Sequence, residues 1–497
     1  MKLGRLLQDI LPVPSELEGL EITGVQEDSR LVKPGDLFVA VEGLTVDGHD
    51  YAAGAAAAGA AAVIARRALD LPVPCLLADD TMKALCLASS RLVGDPCREL
   101  TLLGITGTNG KTTTTYLMEA ILEAAGHRPG VIGTVGYRFG GREHKAPFTT
   151  PTPQVLHETL GQMAGARCTH GLMEVSSHAL DLGRTWGLEF EVAAFTHLTQ
   201  DHLDLHGSME AYLEAKLLLF SRHLRAGGAA VVNMDGHGAG PVMDLVRARG
   251  DVRLIRCSSS DDEAEAQLRD ASYSIDGLQA TLILSGREVQ IRSCMPGYFN
   301  GDNVLMAAAC CHAAGVELDA VAAGVDGLAG VPGWLERVDG GREFAVLVDY
   351  AHTPDALVRA MDVLRPLCKG RLIVVFGCGG DRDRTKRPLM GGAVARGADL
   401  PVVTSDNPRT EDPALIIEAI VEGVVAEGLT RLEQLDAGQG FWVQQDRRAA
   451  IFAAVQAARP GDIVLIAGKG HEDYQILGTE RIHFDDREQA REALGIQ

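Results

Sequence analysis

The apolar positions of this chain come in short runs of β-type residues separated by helix-length segments. Within residues 1–95 the runs "GDLFVAVEG", "AAVIA" and "CLLAD" surround an Ala-rich helical stretch in "YAAGAAAAGAAAVIA" (51–65). From Leu100, "LTLLGIT" leads through a glycine-rich turn into a helix expected to begin near Thr112, and "THGLMEV", "VAAFTHL" and "GAAVVNM" follow as further strands. Later the alternation resumes with "FAVLVDY", "RLIVVFG", "LPVVTS" and "DIVLIAG". Apolar β runs alternating with helices predict an α/β fold with parallel-rich sheets covered on both faces. Breaks rich in Gly and Pro at "GDPCREL" (94–100) and "GLAGVPGW" (327–334) cut the pattern into three. At about 150 residues per domain, a chain of 497 gives the same count. The expected domains are 1–95, 96–331 and 332–497.

Composition narrows the setting. A formal charge of −21 argues against nucleic acid as the main partner, because phosphate backbones are bound by basic surfaces. The ten cysteines include no C-x-x-C pair, and several lie in apolar stretches where a thiol serves as a small hydrophobe. The N-terminus lacks the apolar core and cleavage site of a signal peptide, and the longest apolar run falls short of a membrane span. A cytoplasmic monomer without membrane insertion is expected.

Candidate chemistry begins at "GITGTNGKTTTTYL" (104–117). Glycines let backbone N–H groups converge on phosphate oxygens, Lys111 adds a mobile positive charge, and Thr112 can place a hydroxyl on Mg²⁺. The common G-x-x-x-x-G-K-[ST] pattern fails by one residue, since Ile105 stands where the first Gly is expected and Gly104 precedes it. Glu174 ends a strand in "GLMEVSSHAL", where a carboxylate can hold Mg²⁺ directly or through water. "THLTQDHLDLHG" offers Asp201, His202, Asp204 and His206, although a His in such a place is often hydrogen-bonded structure. Lys216, in the amphipathic "MEAYLEAKLLLF", would ordinarily be a solvated helix lysine, and its spacing alone does not overturn that.

That loop, "EVSSHAL", "DHLDLHG", "DYAHTPDAL", "FGCGGDRDRTKRPLMG", "DNPR" and "GKGHE", in this order, make the chain resemble the Mur ligase family over nearly its whole length. The resemblance implies a UDP-sugar-binding domain, a central P-loop-type ATPase domain and a C-terminal Rossmann-like domain that receives an amino acid. It also implies an activity in peptidoglycan precursor synthesis: ATP-dependent, ADP-forming addition of meso-2,6-diaminopimelate to the D-glutamate of UDP-N-acetylmuramoyl-L-alanyl-D-glutamate through an acyl phosphate, with Mg²⁺.

Carried over by motif, Gly107, Thr108, Asn109, Gly110, Lys111, Thr112 and Thr113 would hold the triphosphate. Asn300 and Asn303 in "GYFNGDNVLMAAA" would approach adenine, with helix capping as the structural alternative for Asn300. Asp349 would reach the nucleotide from the third domain. Lys111, Glu174, His202 and Lys216 match the catalytic residues; Thr112, Glu174, His202 and Lys216 match the metal site, with Lys216 as the lysine that the family carbamylates. Ser29, Leu44, Thr45 and Val46 resemble the uridine end of the sugar site, and Thr149, Thr150, Ser176 and Arg184 its sugar-peptide end. Two departures stand out. Leu182 replaces a residue that is often polar, and Trp334 and Leu335 stand where the family commonly reads G-R-M-E, leaving Arg337 as a guessed substitute.

The amino-acid end can be read without the family. In open α/β sheets ligands bind outside the carboxyl ends of the strands. "DYAH", "GDRDRTKRP", "DNPR" and "GKGHE" all follow apolar runs, so their side chains can converge. The resemblance makes Arg387, Asp406, Asn407, Pro408, Arg409, Gly468 and Glu472 the diaminopimelate pocket. Arg409 is expected to pair with the distal carboxylate, Glu472 with the distal ammonium, and Pro408 to fix where Arg409 points. The alternatives are the same chemistry with L-lysine, a folylpolyglutamate synthase, or a nucleotide-dependent switch without ligase chemistry.

Overall fold

The computed structural model describes residues 1–43, 46–201, 203–435 and 438–496. The chain forms two compact units: Met1–Arg269 with Leu282–Val289 and Asp302–Val325, and Asp270–Thr281 with Gln290–Gly301 and Asp326–Gln497. The fold is α/β with parallel-rich sheets, as the runs predict.

At the start of the first unit, strands Val25–Gln26, Leu37–Val39, Ala62–Ala65 and Cys75–Leu77 lie side by side in chain order, all parallel. The Ala-rich stretch is α-helical only over Ala52–Ala57. Gly59 takes a φ of +107°, a left-handed value that glycine adopts without a Cβ penalty, and frees the chain for the strand at Ala62. Helix Thr81–Leu92, capped by Asp80, buries Ala84, Leu85 and Ala88 against Leu37, Val39 and Ile64.

The central sheet has eleven strands, with Leu224–Asn233, Phe190–Phe195, Thr101–Thr106, His170–Glu174 and Pro129–Ile132 as its parallel middle. Antiparallel pairs close the edge at Tyr137–Phe139 and Arg142–His144. Thr101–Thr106 lies between Phe190–Phe195 and His170–Glu174, so the carboxyl ends of these three strands are neighbours. Their following loops therefore meet above the sheet.

In the second unit six strands run in the order Glu336–Arg337, Ala345–Asp349, Ile463–Ala467, Leu372–Phe376, Leu400–Val403, Trp442–Val443, parallel except for the first pair. Leu372, Val374 and Phe376 face one core with helices Pro354–Leu364, Lys386–Gly397 and Pro413–Ala426; Ile373 and Val375 face the other with Arg447–Ala457 and Asp486–Leu494. Because side chains alternate across a strand, burial on both faces requires the unbroken apolar runs seen in the sequence. Among the described residues no helix is long and apolar enough to cross a membrane, and all ten cysteines are free thiols.

Candidate active site

The loop after strand Thr101–Thr106 is built around two glycines in left-handed conformation. Gly107 has φ +143°, and a Cβ there would stand 1.9 Å from Thr196 Oγ1; at Gly110, φ +86°, it would stand 2.5 Å from Asn303 Oδ1. No side chain fits either place. Thr108 N–H donates to the His197 carbonyl (2.8 Å), and Thr196 Oγ1 donates to the Asn109 carbonyl (2.7 Å), so the neighbouring strand end clamps the loop. Helix Lys111–Ala124 starts one residue before the expected Thr112 and buries Thr112 and Thr113 in its first turn. Its N-terminal N–H groups and dipole favour an anion there.

Two lysines meet at this loop. Lys111 Nζ donates to the carbonyls of Gly107 (3.0 Å) and Thr108 (2.9 Å), and Lys216 Nζ donates to the same Gly107 carbonyl (2.9 Å). Lys216 is 1% exposed, with its ammonium 4.2 Å from the Tyr212 ring centroid. The reading of Lys216 as a solvated helix lysine fails, because helix Met209–Leu218 turns that side chain inward. Burial, and then the positive charge of Lys111, hold the Lys216 pKa well below the usual lysine range. Burial also lowers Lys111, opposed by Glu174 and Asp201.

Glu174, 1% exposed, lies at the end of the adjacent strand. Its Oε2 accepts from Thr112 Oγ1 (3.0 Å) and Thr134 Oγ1 (2.9 Å), and its Oε1 from Thr134 N–H (3.0 Å). Thr134 was not singled out by sequence: a lone Thr in "GTVGY" carries no motif. The hydroxyls of Thr134 and Thr149 are 3.0 Å apart; Thr150 Oγ1 donates to the Glu174 carbonyl (2.7 Å) and accepts from Ser176 N–H (3.0 Å). Thr149, Thr150 and Ser176 thus border Glu174. Asn303, 6% exposed, backs Gly110. The side-chain oxygens of Thr112 and Glu174, 3.0 Å apart, are hard donors of the kind that fit Mg²⁺.

Toward the N-terminal sheet, Arg184 lies 5.8 Å from the Phe148 ring centroid and opposes the effect of burial, which raises the Glu27 pKa. Ser29 sits between the ion-paired Asp28 and Arg30, Val46 is exposed, and Leu182 ends the helix Ser177–Asp181. Leu44, Thr45 and His202 lie outside the described residues. Glu42, Asp47 and His49 cluster closely enough to suggest a second metal site. The His49 ring is already used: Nδ1 bonds Asp47 (2.6 Å) and Nε2 accepts from Arg66 N–H (3.0 Å), which leaves no lone pair for an ion.

In the second unit, Asp349 accepts from Leu335 N–H and Ala351 N–H, both at 2.8 Å, while burial pushes its carboxyl up to about 6. Trp334 stacks on His471 with ring centroids 5.3 Å apart and planes 11° apart, and Arg337 is engaged by Asp276 and Asp339. Asn300 is not a helix cap; it lies in the first turn of Tyr298–Ala313 and donates to the Pro296 carbonyl (2.8 Å).

The four loops named at the strand ends do converge in this unit. The buried Arg387 forks onto Glu411 (3.2 and 2.8 Å), with Arg384 adding a third contact at 3.0 Å. Hydrogen bonds from Arg387 and from Asp381 N–H hold the Glu411 carboxyl at about 2. Arg387 Nε is buried without a hydrogen-bond partner among the described residues. Asn407 Nδ2 donates to Glu472 Oε2 (3.0 Å), while Asn407 Oδ1 accepts from Ile476 N–H (3.0 Å). At Gly468, φ +121°, a Cβ would press to 2.7 Å from Asp406 Oδ2.

Pro408 alone does not aim Arg409. Arg409 has φ +52°, and its backbone pairs on both sides, N–H to the Ile476 carbonyl (3.1 Å) and carbonyl to Gly478 N–H (2.8 Å). Its Nη1 donates to the Gly380 carbonyl (2.8 Å). A non-glycine residue in this region costs about 1–3 kcal/mol and persists where its surroundings over-determine it. Glu411, Lys469 and the Arg447–Asp486 pair beneath the loops were not found by sequence, because pairing across loops leaves no periodic trace.

Three descriptions of one family match the chain: "Mur ligase family, catalytic domain" at residues 21–83, "Mur ligase middle domain" at 105–311, and "Mur ligase, glutamate ligase domain" at 334–470. The UDP-N-acetylmuramoyl-L-alanyl-D-glutamate–2,6-diaminopimelate ligase of Gloeobacter violaceus is 46% identical over 482 residues, covering 96% of this chain and 95% of its own. The enzyme of the same name from Bacillus cereus is 42% identical over 494 residues, covering 98% and 96%. A solved structure of a ligase of that name is 32% identical, with a TM-score of 0.75 over 100% of this chain and 99% of the other. The chain belongs to the Mur ligase family.

Proposed function

We propose that the chain is an ATP-dependent, ADP-forming amide ligase joining meso-2,6-diaminopimelate to the D-glutamate of UDP-N-acetylmuramoyl-L-alanyl-D-glutamate, in cytoplasmic peptidoglycan precursor synthesis. The convergence of Arg387, Asp406, Asn407, Arg409, Gly468 and Glu472 at the strand ends of the six-stranded sheet is the observation that carries the choice of amino acid. The near full-length likeness to ligases named for that reaction supports it.

In this reading residues 1–95 bind the uridine end, 96–331 bind ATP, and 332–497 bind the amino acid. The γ-phosphate passes to the D-glutamate carboxylate, the free amine attacks the acyl phosphate, and phosphate leaves from a tetrahedral intermediate. Two anions must meet first. Lys111 exchanges the Gly107 and Thr108 carbonyls for phosphate oxygens and neutralises charge as it develops. Thr112, Glu174, His202 and carbamylated Lys216 would hold Mg²⁺, which supplies Lewis-acid charge neutralisation when bound. Thr134 fixes the Glu174 carboxylate, and Thr149, Thr150, Ser176 and Arg184 seat the sugar-peptide next to it. Asn300, Asn303 and Asp349 serve the nucleotide. Arg409 takes the distal carboxylate with donors not spent on Gly380, and Glu472 takes the distal ammonium.

A phosphate-release assay with ATP and the UDP-sugar dipeptide, offering meso-diaminopimelate, L-lysine or ornithine in turn, tests this. Release is expected with meso-diaminopimelate alone. Equal release with lysine would overturn the assignment, and release without any amino acid would favour a switch.

A further inference from the structure

Lys469 has no part in the site derived so far, yet it is 0% exposed in the middle of the amino-acid loops. Its Nζ lies 3.3 Å from Asn407 Oδ1, 3.5 Å from Glu472 Oε2 and 3.8 Å from Asp406 Oδ1, and 5.3 Å from the Tyr474 ring centroid. One ammonium therefore touches three side chains of the candidate pocket, two from "SDNPR" and one from "GKGHE". Asn407 Nδ2 donates to the same Glu472 oxygen, so the amide and the ammonium grip it together. A fully buried lysine is rare unless it is paired.

The backbone around Lys469 is equally constrained. Gly468 and Gly470 on either side have φ of +121° and +52°; a Cβ would meet Asp406 Oδ2 at 2.7 Å and Tyr350 Cβ at 2.6 Å. The alternation of glycines in "GKGHE" lets the lysine turn into the sheet end instead of out to solvent. Two carboxylates and one ammonium leave the cluster with a single net negative charge. That balance suits one substrate ammonium; two uncompensated carboxylates this close to Asn407 would repel each other.

We propose that Lys469 is the positioning residue for amino-acid selection: it ties Asp406, Asn407 and Glu472 into one rigid acceptor for the distal ammonium of a diamino dicarboxylic acid. The inference rests on the pocket reading above.

The test is steady-state kinetics of the full chain, with Lys469→Met and Lys469→Arg. Hydrogen bonds to charged groups account for about a tenfold to hundredfold change when lost. Lys469→Met is expected to raise KM for meso-diaminopimelate by that factor, with KM for ATP and for the UDP-sugar dipeptide within about twofold. Lys469→Arg, which keeps the charge but cannot match three separate acceptors, is expected to recover part of the loss. A general scaffold role would lower kcat and raise every KM alike, and that pattern overturns the proposal, as does an unchanged amino-acid KM. If Lys469→Met does not fold, Lys469→Arg decides alone: an amino-acid KM raised about fivefold or more supports the role, and an unchanged one ends it. Wild type run alongside separates the two readings. No phosphate release with meso-diaminopimelate in wild type removes the pocket reading and this inference with it; an active wild type with an insensitive variant removes only the role of Lys469.

Discussion

Replacing Asp486 by Asn should destabilise the second unit and loosen the proposed amino-acid pocket together. The side chains of Arg447 and Asp486 are both 0% exposed and form a two-point fork, Nε to Oδ1 at 2.8 Å and Nη2 to Oδ2 at 2.6 Å. The same guanidinium donates to the Ser405 carbonyl (3.4 Å) and the Ala467 carbonyl (3.0 Å), the residues just before Asp406 and Gly468. In Asp486→Asn one acceptor oxygen becomes an NH₂ facing N–H donors, and the Arg447 charge is left buried without its counter-ion. Removing one partner of such a pair costs about 3–5 kcal/mol. For a unit of this size each kcal/mol corresponds to roughly 2–4 °C, so the unfolding transition should fall by about 6–20 °C. Trp334 and Trp442 lie in the second unit and Trp186 in the first, so tryptophan fluorescence during heating is weighted toward the transition of interest. The amino-acid KM should rise while the ATP KM holds. The double variant Arg447→Met with Asp486→Leu should be less destabilised than Asp486→Asn, because no charge is stranded. A loss under about 1 kcal/mol in Asp486→Asn, or a double variant worse than the single, would refute the reasoning.

Three further outcomes follow from other parts of the molecule. Arg409→Ala should lower kcat/KM for meso-diaminopimelate by roughly thirtyfold to several thousandfold, from the loss of about 2–5 kcal/mol of charge pairing, with ATP KM little changed; competition kinetics against L-lysine would show the discrimination shrink. Thr134→Val keeps the backbone N–H to Glu174 but loses the hydroxyl contact, so kcat should drop by roughly three- to tenfold in phosphate release, on the scale of one hydrogen bond of about 1 kcal/mol. His157 is fully buried with both ring nitrogens unpartnered among the described residues, and burial pushes its pKa down to about 4. Because the unfolded chain protonates near 6.5 while the folded one resists until about 4, stability falls as pH drops through that window. Between pH 7.5 and 5 this one group removes about 2 kcal/mol, and His157→Leu should flatten the pH dependence of unfolding by that amount.

The sequence alone determined the fold class, because strands buried on both faces must be continuous apolar runs and those runs are written out at "RLIVVFG" and "DIVLIAG". It also located the glycine-rich turn before Lys111, since Gly107 and Gly110 occupy left-handed backbone that no other residue fills well. The grouping of "DNPR" with "GKGHE" was legible from strand ends, given that parallel strands place their following loops on one side. Tertiary structure decided the rest. A lysine in an amphipathic helix is by default solvated, and only the seat of Lys216 over Tyr212 and against the Gly107 carbonyl makes it a buried amine with a lowered pKa. Pro408 suggested a stiff turn, while the direction of Arg409 comes from pairing with Ile476 and Gly478, residues far along the chain. Thr134, Glu411, Lys469 and the Arg447–Asp486 pair are equally invisible in one dimension. Periodicity and turn chemistry are local and leave marks in sequence; the partners of a buried charge are chosen by packing, and any acid or amide of the chain can be brought to it.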